Sequence, residues 1–341
     1  MNPGSISEIM RRIFISSSLI LLPVLLILFL IGYNLIFTSQ SPEEAVHIEV
    51  KPGSSLTKVA TELQTSGVIR SALALKIIAR WNKSGHQIQT GKYLFDESAT
   101  PSEVLDRLIR GDVEKVSLTI PEGFALQQII ARLADAGFAR RENLEALVYN
   151  RKFINSLGIA AESLEGYLFP ETYLFAPGID ERTLLRMMVN QFSSHISPEL
   201  LLTAKKLGLN QHQLVTLASI IEKETGVVEE MPLISSVFHN RLKRNIPLQT
   251  DPTVIYGIKN FDGNITRKHL ETPTPYNTYL TRGLPPGPIA SPGLAALNAA
   301  AHPAATKYLY FVARGDGTHQ FSKTLKEHNS AVRQYQLRRR K

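Results

Sequence analysis

Between Ile13 and Phe37 the chain is almost wholly apolar and carries no charge. At roughly 1.5 Å per residue such a helix crosses a hydrocarbon core of about 30 Å, so the pattern predicts one transmembrane span. Pro23 and the run Ser16-Ser17-Ser18 do not spoil it, because helix breakers are tolerated in spans. Arg11 and Arg12 precede the run, and the next Lys or Arg is Lys51. That cationic bias leaves a short cytoplasmic tail and exports residues 38–341. A cleaved signal peptide is the competing reading. The run is longer than an h-region of roughly 7–15 residues and no A-x-A-like site comes after it, which favours a retained anchor.

Downstream the hydrophobic pattern shortens to strand-sized and helix-sized periods. Thr38 to Glu44 reads as a polar linker. A pattern then repeats. Pro52-Gly53-Ser54-Ser55-Leu56 with Val59, Leu63 and Gly67 matches Glu122-Gly123-Phe124-Ala125-Leu126 with Ile129, Leu133 and Gly137, 70 positions on. Tyr93-Leu94-Phe95 and Leu105 match Tyr173-Leu174-Phe175 and Leu185, 80 positions on. Two related units with a ten-residue insertion in the second explain both offsets. Each reads as a strand, a Gly turn and an amphipathic helix. The expected class is α+β. It comprises a tail (1–12), a transmembrane helix (13–37), a linker (38–45), a first α/β subdomain (46–115), a second related unit packed on the C-terminal domain (116–206), and that mixed α+β domain itself (207–341).

The last domain opens on a helix that ends in two carboxylates. Asn210 is a good N-cap and Gln213 occupies the capping-box position. Leu214, Leu217, Ala218 and Ile221 recur at helical spacing and form a buried stripe. At roughly 100° per residue Glu222 falls one turn after Ala218, and Glu224 one turn after Ile220 and Ile221. Lys223 points the other way, toward solvent. Periodicity does not choose between the two carboxylates. A carboxyl desolvated by Val215, Ala218 and Ile221 has its pKa raised, which suits a general acid. The plain alternative is a glutamate that edges the core and pairs with Arg or Lys.

Composition narrows the classes. The 341 residues are 43% hydrophobic and 20% charged, ordinary for globular domains with one span. The absence of cysteine excludes disulfides, thiolate metal sites and a Cys nucleophile. A net charge of +8, part of it in Arg338-Arg339-Arg340-Lys341, suits anionic headgroups or an acidic wall polymer. Nucleic acid is disfavoured by the compartment and by the lack of any recognisable nucleic-acid-binding motif.

The motifs from the two-carboxylate helix onward resemble one family. Leu217 to Thr225 (LASIIEKET), Ser236 to Leu242 (SVFHNRL), Leu248 to Gly257 (LQTDPTVIYG) and Glu271 to Tyr279 (ETPTPYNTY) occur in order. Gly283 to Ile289 (GLPPGPI), Ser291-Pro292-Gly293, His302-Pro303-Ala304 and Tyr308 to Val312 (YLYFV) complete the series. Together they resemble the YceG-like family, the endolytic murein transglycosylases (MltG), over essentially everything after the membrane segment. The resemblance implies Glu222 as catalytic glutamate, with Glu224 as fallback. It implies a LysM-like first subdomain able to grip N-acetylglucosamine-containing glycans, although the same pattern serves a purely structural unit. Peptidoglycan strands are the implied partner, with a peptidoglycan synthase as a further one; no cofactor is implied.

Around that glutamate, Gln249-Thr250-Asp251-Pro252 reads as a loop leading out of a helix, with Pro252 holding Asp251 extended. Asp251 then orients a sugar or assists Glu222 electrostatically, or else makes an Asx-type turn. Tyr276, Asn277 and Tyr279 combine flat faces with hydrogen-bonding tips and suit pyranose rings; tyrosines are also ordinary packing residues. Gln249 joins them as a candidate substrate contact. Gly283 to Pro288 is a stiff loop that walls a cleft or serves the fold alone. Trp81, beside Ile77, Ile78 and Ala79, reads as core rather than as a sugar platform. His319 and His328-Asn329 lack metal-ligand spacing, so no metal is expected.

One acid/base suffices for the implied reaction, whereas a hydrolase ordinarily uses two carboxylates. Glu222 would protonate the oxygen between N-acetylmuramic acid and N-acetylglucosamine, then take the proton of the muramyl C6 hydroxyl as it attacks C1. Asp251 or Glu224 would face the oxocarbenium charge. The expected site is the extracytoplasmic face of the inner membrane, on nascent strands. A non-catalytic wall-binding scaffold and a muramidase are the competing readings.

Overall fold

The computed structural model describes residues 24–27 and 29–337. Arg11, Arg12, the first part of the expected span and Arg338 to Lys341 lie outside the described residues. Residues 24–27 and 29–37 are helical (α1), with exposed apolar side chains. Among the described residues no helix is long and apolar enough to cross a membrane. The expected linker is partly structured, since Gln40 bridges Ala99 through paired backbone hydrogen bonds of 3.0 Å.

The chain divides into two compact units, residues 1–116 and 117–341. In the first, β1 (Val46–Val50) is followed by α2 (Leu56–Thr65), α3 (Ala72–Trp81), β2 (Gly91–Phe95) and α4 (Pro101–Arg110). The strands pair antiparallel with Val46 opposite Phe95 and Val50 opposite Gly91. Alternation puts Ile48, Val50, Tyr93 and Phe95 into the core. Each helix has a sequence-coded start. Ser55 and Ser71 cap α2 and α3, and Thr100 forms a capping box with Glu103 at α4. Trp81 corrects the expectation of core packing, because it is 86% exposed at the end of α3. Helix α3 is apolar on two sides, so its sequence does not reveal which of them is buried; Leu75 and Ala79 are.

The second unit repeats the plan at its start. Strand β3 (Val116–Thr119) and α5 (Leu126–Asp135) lie 70 positions after β1 and α2. Helices α6 (Arg141–Val148) and α7 (Arg151–Ser156) then intervene, and β4 (Thr172–Phe175), which pairs with β3, leads to α8 (Glu181–His195). The helical remainder comprises α9 (Pro198–Lys206), α10 (Gln211–Glu224), α11 (Met231–Lys243), α12 (Asp251–Tyr256), α13 (Arg267–Glu271) and α14 (Leu294–Ala301). The antiparallel pair β5 (Tyr310–Ala313) and β6 (His319–Ser322) and helix α15 (Leu325–Val332) close it. With three two-stranded sheets among the described residues, the class is mixed α+β.

Helix α10 is the axis of this unit. Asn210 accepts from the Gln213 N–H and Gln213 from the Asn210 N–H, a complete capping box. Every residue from Leu214 to Ile221 is buried, so the helix is core on all sides until its last turn. At about 1.5–3 kcal/mol per buried Leu or Ile, this burial fixes the position of that turn firmly. The proline loop is tied to it as well: Ile289 N–H donates to Ser219 Oγ (3.1 Å) and His212 Nε2 donates to the Pro286 carbonyl (2.8 Å).

Candidate active site

The last turn of α10 sends its two carboxylates in different directions, as a spacing of two helical residues requires. Glu222 points at the start of α14, where the Gly293 N–H donates to its Oε2 at 3.0 Å. Gly293 is the N-cap of α14 and offers no side-chain cap, so Glu222 sits at an open, electropositive helix end. Across Gly293 lies a third carboxylate. The carboxyl group of Glu122 fills the space that a Cβ at 293 would take. Residues 122–124 and 291–293 are laced by hydrogen bonds from Gly123 N–H to the Ser291 carbonyl (2.9 Å) and from Ser291 N–H to the Phe124 carbonyl (2.8 Å). Lys223 is not free in solvent as expected, since its Nζ donates to the Gly123 carbonyl at 3.1 Å. Partial burial raises the Glu222 pKa above the ordinary carboxylate value. The Gly293 hydrogen bond opposes that rise, the Glu122 charge adds to it, and Lys223 opposes it.

Glu224 faces a different wall. It accepts from the Thr250 hydroxyl, and burial, with help from the Asp251 charge, pushes its pKa up to about 7. A cavity of about 540 Å³ opens beside it, lined among others by Arg241, Gln249, Asp251, Tyr279 and Tyr310. Tyr279 OH donates to Asp251 Oδ1 (2.6 Å), and Arg241 Nη1 donates to Gln249 Oε1 (3.1 Å). Gln249 holds a positive φ of 51°, uncommon for a side chain of its size and a mark of local strain. Asp251 begins α12 rather than ending an extended loop. Proline suits the first helical turn, and Thr250 takes the extended N-cap conformation instead.

The tyrosine and asparagine candidates separate. Only Tyr279 lines the cavity; Tyr276 is half-buried against Tyr256, with ring centroids 4.8 Å apart. Asn277 is 0% exposed. Its Nδ2 donates to the carbonyls of Leu270 (3.0 Å) and Thr272 (2.7 Å), and its Oδ1 accepts from Tyr279 N–H (3.0 Å). That corrects its assignment as a sugar contact: its polar atoms satisfy backbone instead. His319 Nδ1 pairs with Glu230 (2.7 Å), and among the described residues no cluster could hold a metal.

The YceG-like family model matches residues 48–334. The chain belongs to the YceG-like family. It is 35% identical over 324 residues to a protein of Bacillus subtilis (strain 168) named endolytic murein transglycosylase, covering 90% of this chain and 89% of that one. A Streptococcus pneumoniae (D39) protein of the same name is 29% identical across 89% of this chain and 61% of its own length. The crystal structure of a yceG-like protein of Listeria monocytogenes superposes with a TM-score of 0.59 at 31% identity, covering 84% of this chain and 99% of that one.

In this YceG-like chain the sequence reading missed three polar groups. Glu122 was visible only as the repeat position where the first unit has Pro52, a carboxylate where the fold needs none. Arg241 is buried and also donates to the carbonyls of Leu309, Pro247 and Leu248. Glu165, 4% exposed, caps α5 from a distance, accepting from Leu126 N–H (2.9 Å) and Tyr256 OH (3.0 Å) where Ala125 supplies no side-chain cap. Burial raises its pKa from 4.5 to about 7. A carboxylate raised on folding contributes stability that is complete below pH 4.5 and is lost as pH climbs through 7. At 1.36 kcal/mol per pKa unit this loss is about 3 kcal/mol, and Glu224 adds one of the same sign. Denaturation at pH 5 and pH 8 is expected to show the native protein weaker at pH 8, with Glu165→Gln removing about half of the difference. An unchanged difference in the variant contradicts the assignment.

Proposed function

We propose that the protein is a membrane-anchored peptidoglycan lytic transglycosylase with Glu222 as its single acid/base. The observation that carries the assignment is the setting of Glu222: a half-buried carboxyl of raised pKa at the mouth of an uncapped helix, with Glu122 across Gly293. Relatives named endolytic murein transglycosylases over most of the chain supply the substrate class. Glu222 gives its proton to the glycosidic oxygen as the bond from C1 of N-acetylmuramic acid breaks. The muramyl C6 hydroxyl then attacks C1 and returns its proton to Glu222. The product is a 1,6-anhydromuramyl end, and no water is consumed. Glu122 supports this cycle by adding to the proton affinity of Glu222 and by facing the oxocarbenium charge. The first α/β unit is the LysM-like glycan grip, and the apolar segment over 13–37 holds the enzyme at nascent strands on the outer face of the cytoplasmic membrane. There it terminates elongation within reach of a synthase. Cleavage is endolytic, in keeping with the relatives' names.

The cavity at Glu224, with Gln249, Asp251 and Tyr279 on its wall, favours a second assignment in which Glu224 is the acid and Asp251 the supporting charge. A pH profile separates the two. An acid must be protonated, so activity falls as pH rises past its raised pKa. Removing the Glu122 charge lowers the Glu222 pKa, so Glu122→Gln is expected to move the alkaline limb of kcat/KM to lower pH. If the limb stays in place in Glu122→Gln but moves in Asp251→Asn, Glu224 is the acid.

A further inference from the structure

Helix α3 buries Ala72, Ala74, Leu75 and Ala79 against the first unit. Its opposite side carries Leu73, Ile77 and Trp81, which are 62%, 47% and 86% exposed. These three stand four residues apart, so they form one stripe roughly 12 Å long at 1.5 Å per residue. Single exposed apolar side chains are ordinary, but an aligned stripe ending in a tryptophan is an unpartnered face. Cations surround it. Lys76 and Arg80 lie on the same helix and Arg70 and Lys83 at its two ends, while no Asp or Glu occurs between Glu62 and Asp96. Apolar and aromatic side chains flanked by Lys and Arg are the composition of a helix that lies in an anionic membrane interface.

A second observation places this face. Arg70, two residues before α3, donates from Nη1 to Asn34 Oδ1 of α1 at 2.9 Å. On α1, the rings of Phe29, Tyr33 and Phe37 follow one another along one side, tilted by 34° and 31°, with centroids 6.4 Å and 4.9 Å apart. Aromatic residues at the end of a span sit at headgroup level, so Asn34 and the residue bonded to it share that depth. The bridge from Gln40 to Ala99 leaves little free chain between α1 and the unit. A sugar ring is the poorer occupant, because Leu73 and Ile77 offer no polar tip to orient hydroxyl groups.

We propose that the Leu73–Ile77–Trp81 face of α3 is a membrane-docking surface that lies on the anionic leaflet from which α1 emerges. This rests on the anchored reading of the N-terminal segment. Docking fixes the orientation of the first unit on the leaflet, which sets the height at which it meets glycan.

Trp81 is the single tryptophan of the chain, so its emission reports on this face alone. The full chain is reconstituted into phosphatidylglycerol-containing vesicles with and without brominated acyl chains. Bromolipid is expected to lower Trp81 emission by more than about half, as for an indole at headgroup depth. Lys76→Glu with Arg80→Glu is expected to relieve that quenching. Vesicle flotation after carbonate extraction reads the anchor separately. Flotation with unquenched Trp81 overturns docking and leaves the anchor intact. Quenching with loss of flotation in carbonate supports docking and overturns the anchor. No flotation and no quenching overturns both. Emission that ignores lipid but shifts on adding glycan strands makes the face a sugar platform and overturns docking.

Discussion

Glu222→Gln is expected to abolish glycan cleavage, lowering kcat by about 10²–10⁴-fold, the range supplied by a positioned general acid. The amide keeps the size of the carboxyl and its oxygen still accepts from Gly293 N–H, so the fold and substrate binding persist. Glu224→Gln is expected to behave differently. Its hydrogen bond from Thr250 survives in the amide, and the cost of burying a charge disappears, so activity falls far less while stability at pH 8 rises. Turnover of isolated strands by both variants beside the native enzyme reads the contrast. The reverse order of losses transfers the acid role to Glu224 and its cavity.

The second large effect concerns stability. Gly166 has φ +81° and is buried in the turn that carries Glu165 and Tyr167. A Cβ there meets Pro288 Cβ at 2.5 Å and Cγ at 2.7 Å, and Val215 Cγ1 at 3.1 Å. The neighbours are a proline ring in the stiff loop and a residue of the fully buried α10, so neither yields easily. Left-handed backbone costs alanine about 1–2 kcal/mol, and overpacking adds about 1–3 kcal/mol. Gly166→Ala is therefore expected to lose about 3 kcal/mol, which lowers the Tm by about 6–12 °C for a unit of this size. Circular dichroism of the detergent-solubilised chain measures it, and a Tm within a degree or two of the native value contradicts the packing described. Gly293→Ala makes an instructive comparison. There the intruded group is the end of the Glu122 side chain, which can swing away, so the stability cost is small.

The contrast between these glycines shows what the sequence carries and what it does not. Local signals were legible: the Asn210–Gln213 box, the buried stripe from Leu214 to Ile221, and the recurrence of β1 and α2 as β3 and α5. Each depends on residues within one or two turns of each other, or on self-similarity. The Glu122–Gly293–Glu222 arrangement was not legible, because its members lie far apart in the chain and meet only after the second unit folds around α10. Residue type also misled where two environments suit one side chain. Trp81 reads as core because tryptophan is mostly buried, yet α3 has two apolar sides and only one is covered. Asn277 reads as a ligand contact because it is polar, yet its amide holds the end of α13 together from inside. The helical wheel does not separate Glu222 from Glu224, whereas the structure gives them two environments, Gly293 and Glu122 beside one and Thr250 and Asp251 beside the other.

Isotope labelling of the cleaved ends tests the central claim most directly. Glycan strands are digested by the full chain in ¹⁸O-water and the fragments weighed by mass spectrometry. An acid/base acting alone, with C6 oxygen as the nucleophile, predicts 1,6-anhydromuramyl ends free of ¹⁸O and absent with Glu222→Gln. Reducing ends carrying ¹⁸O would contradict the account, because they require a water that the proposed chemistry never uses.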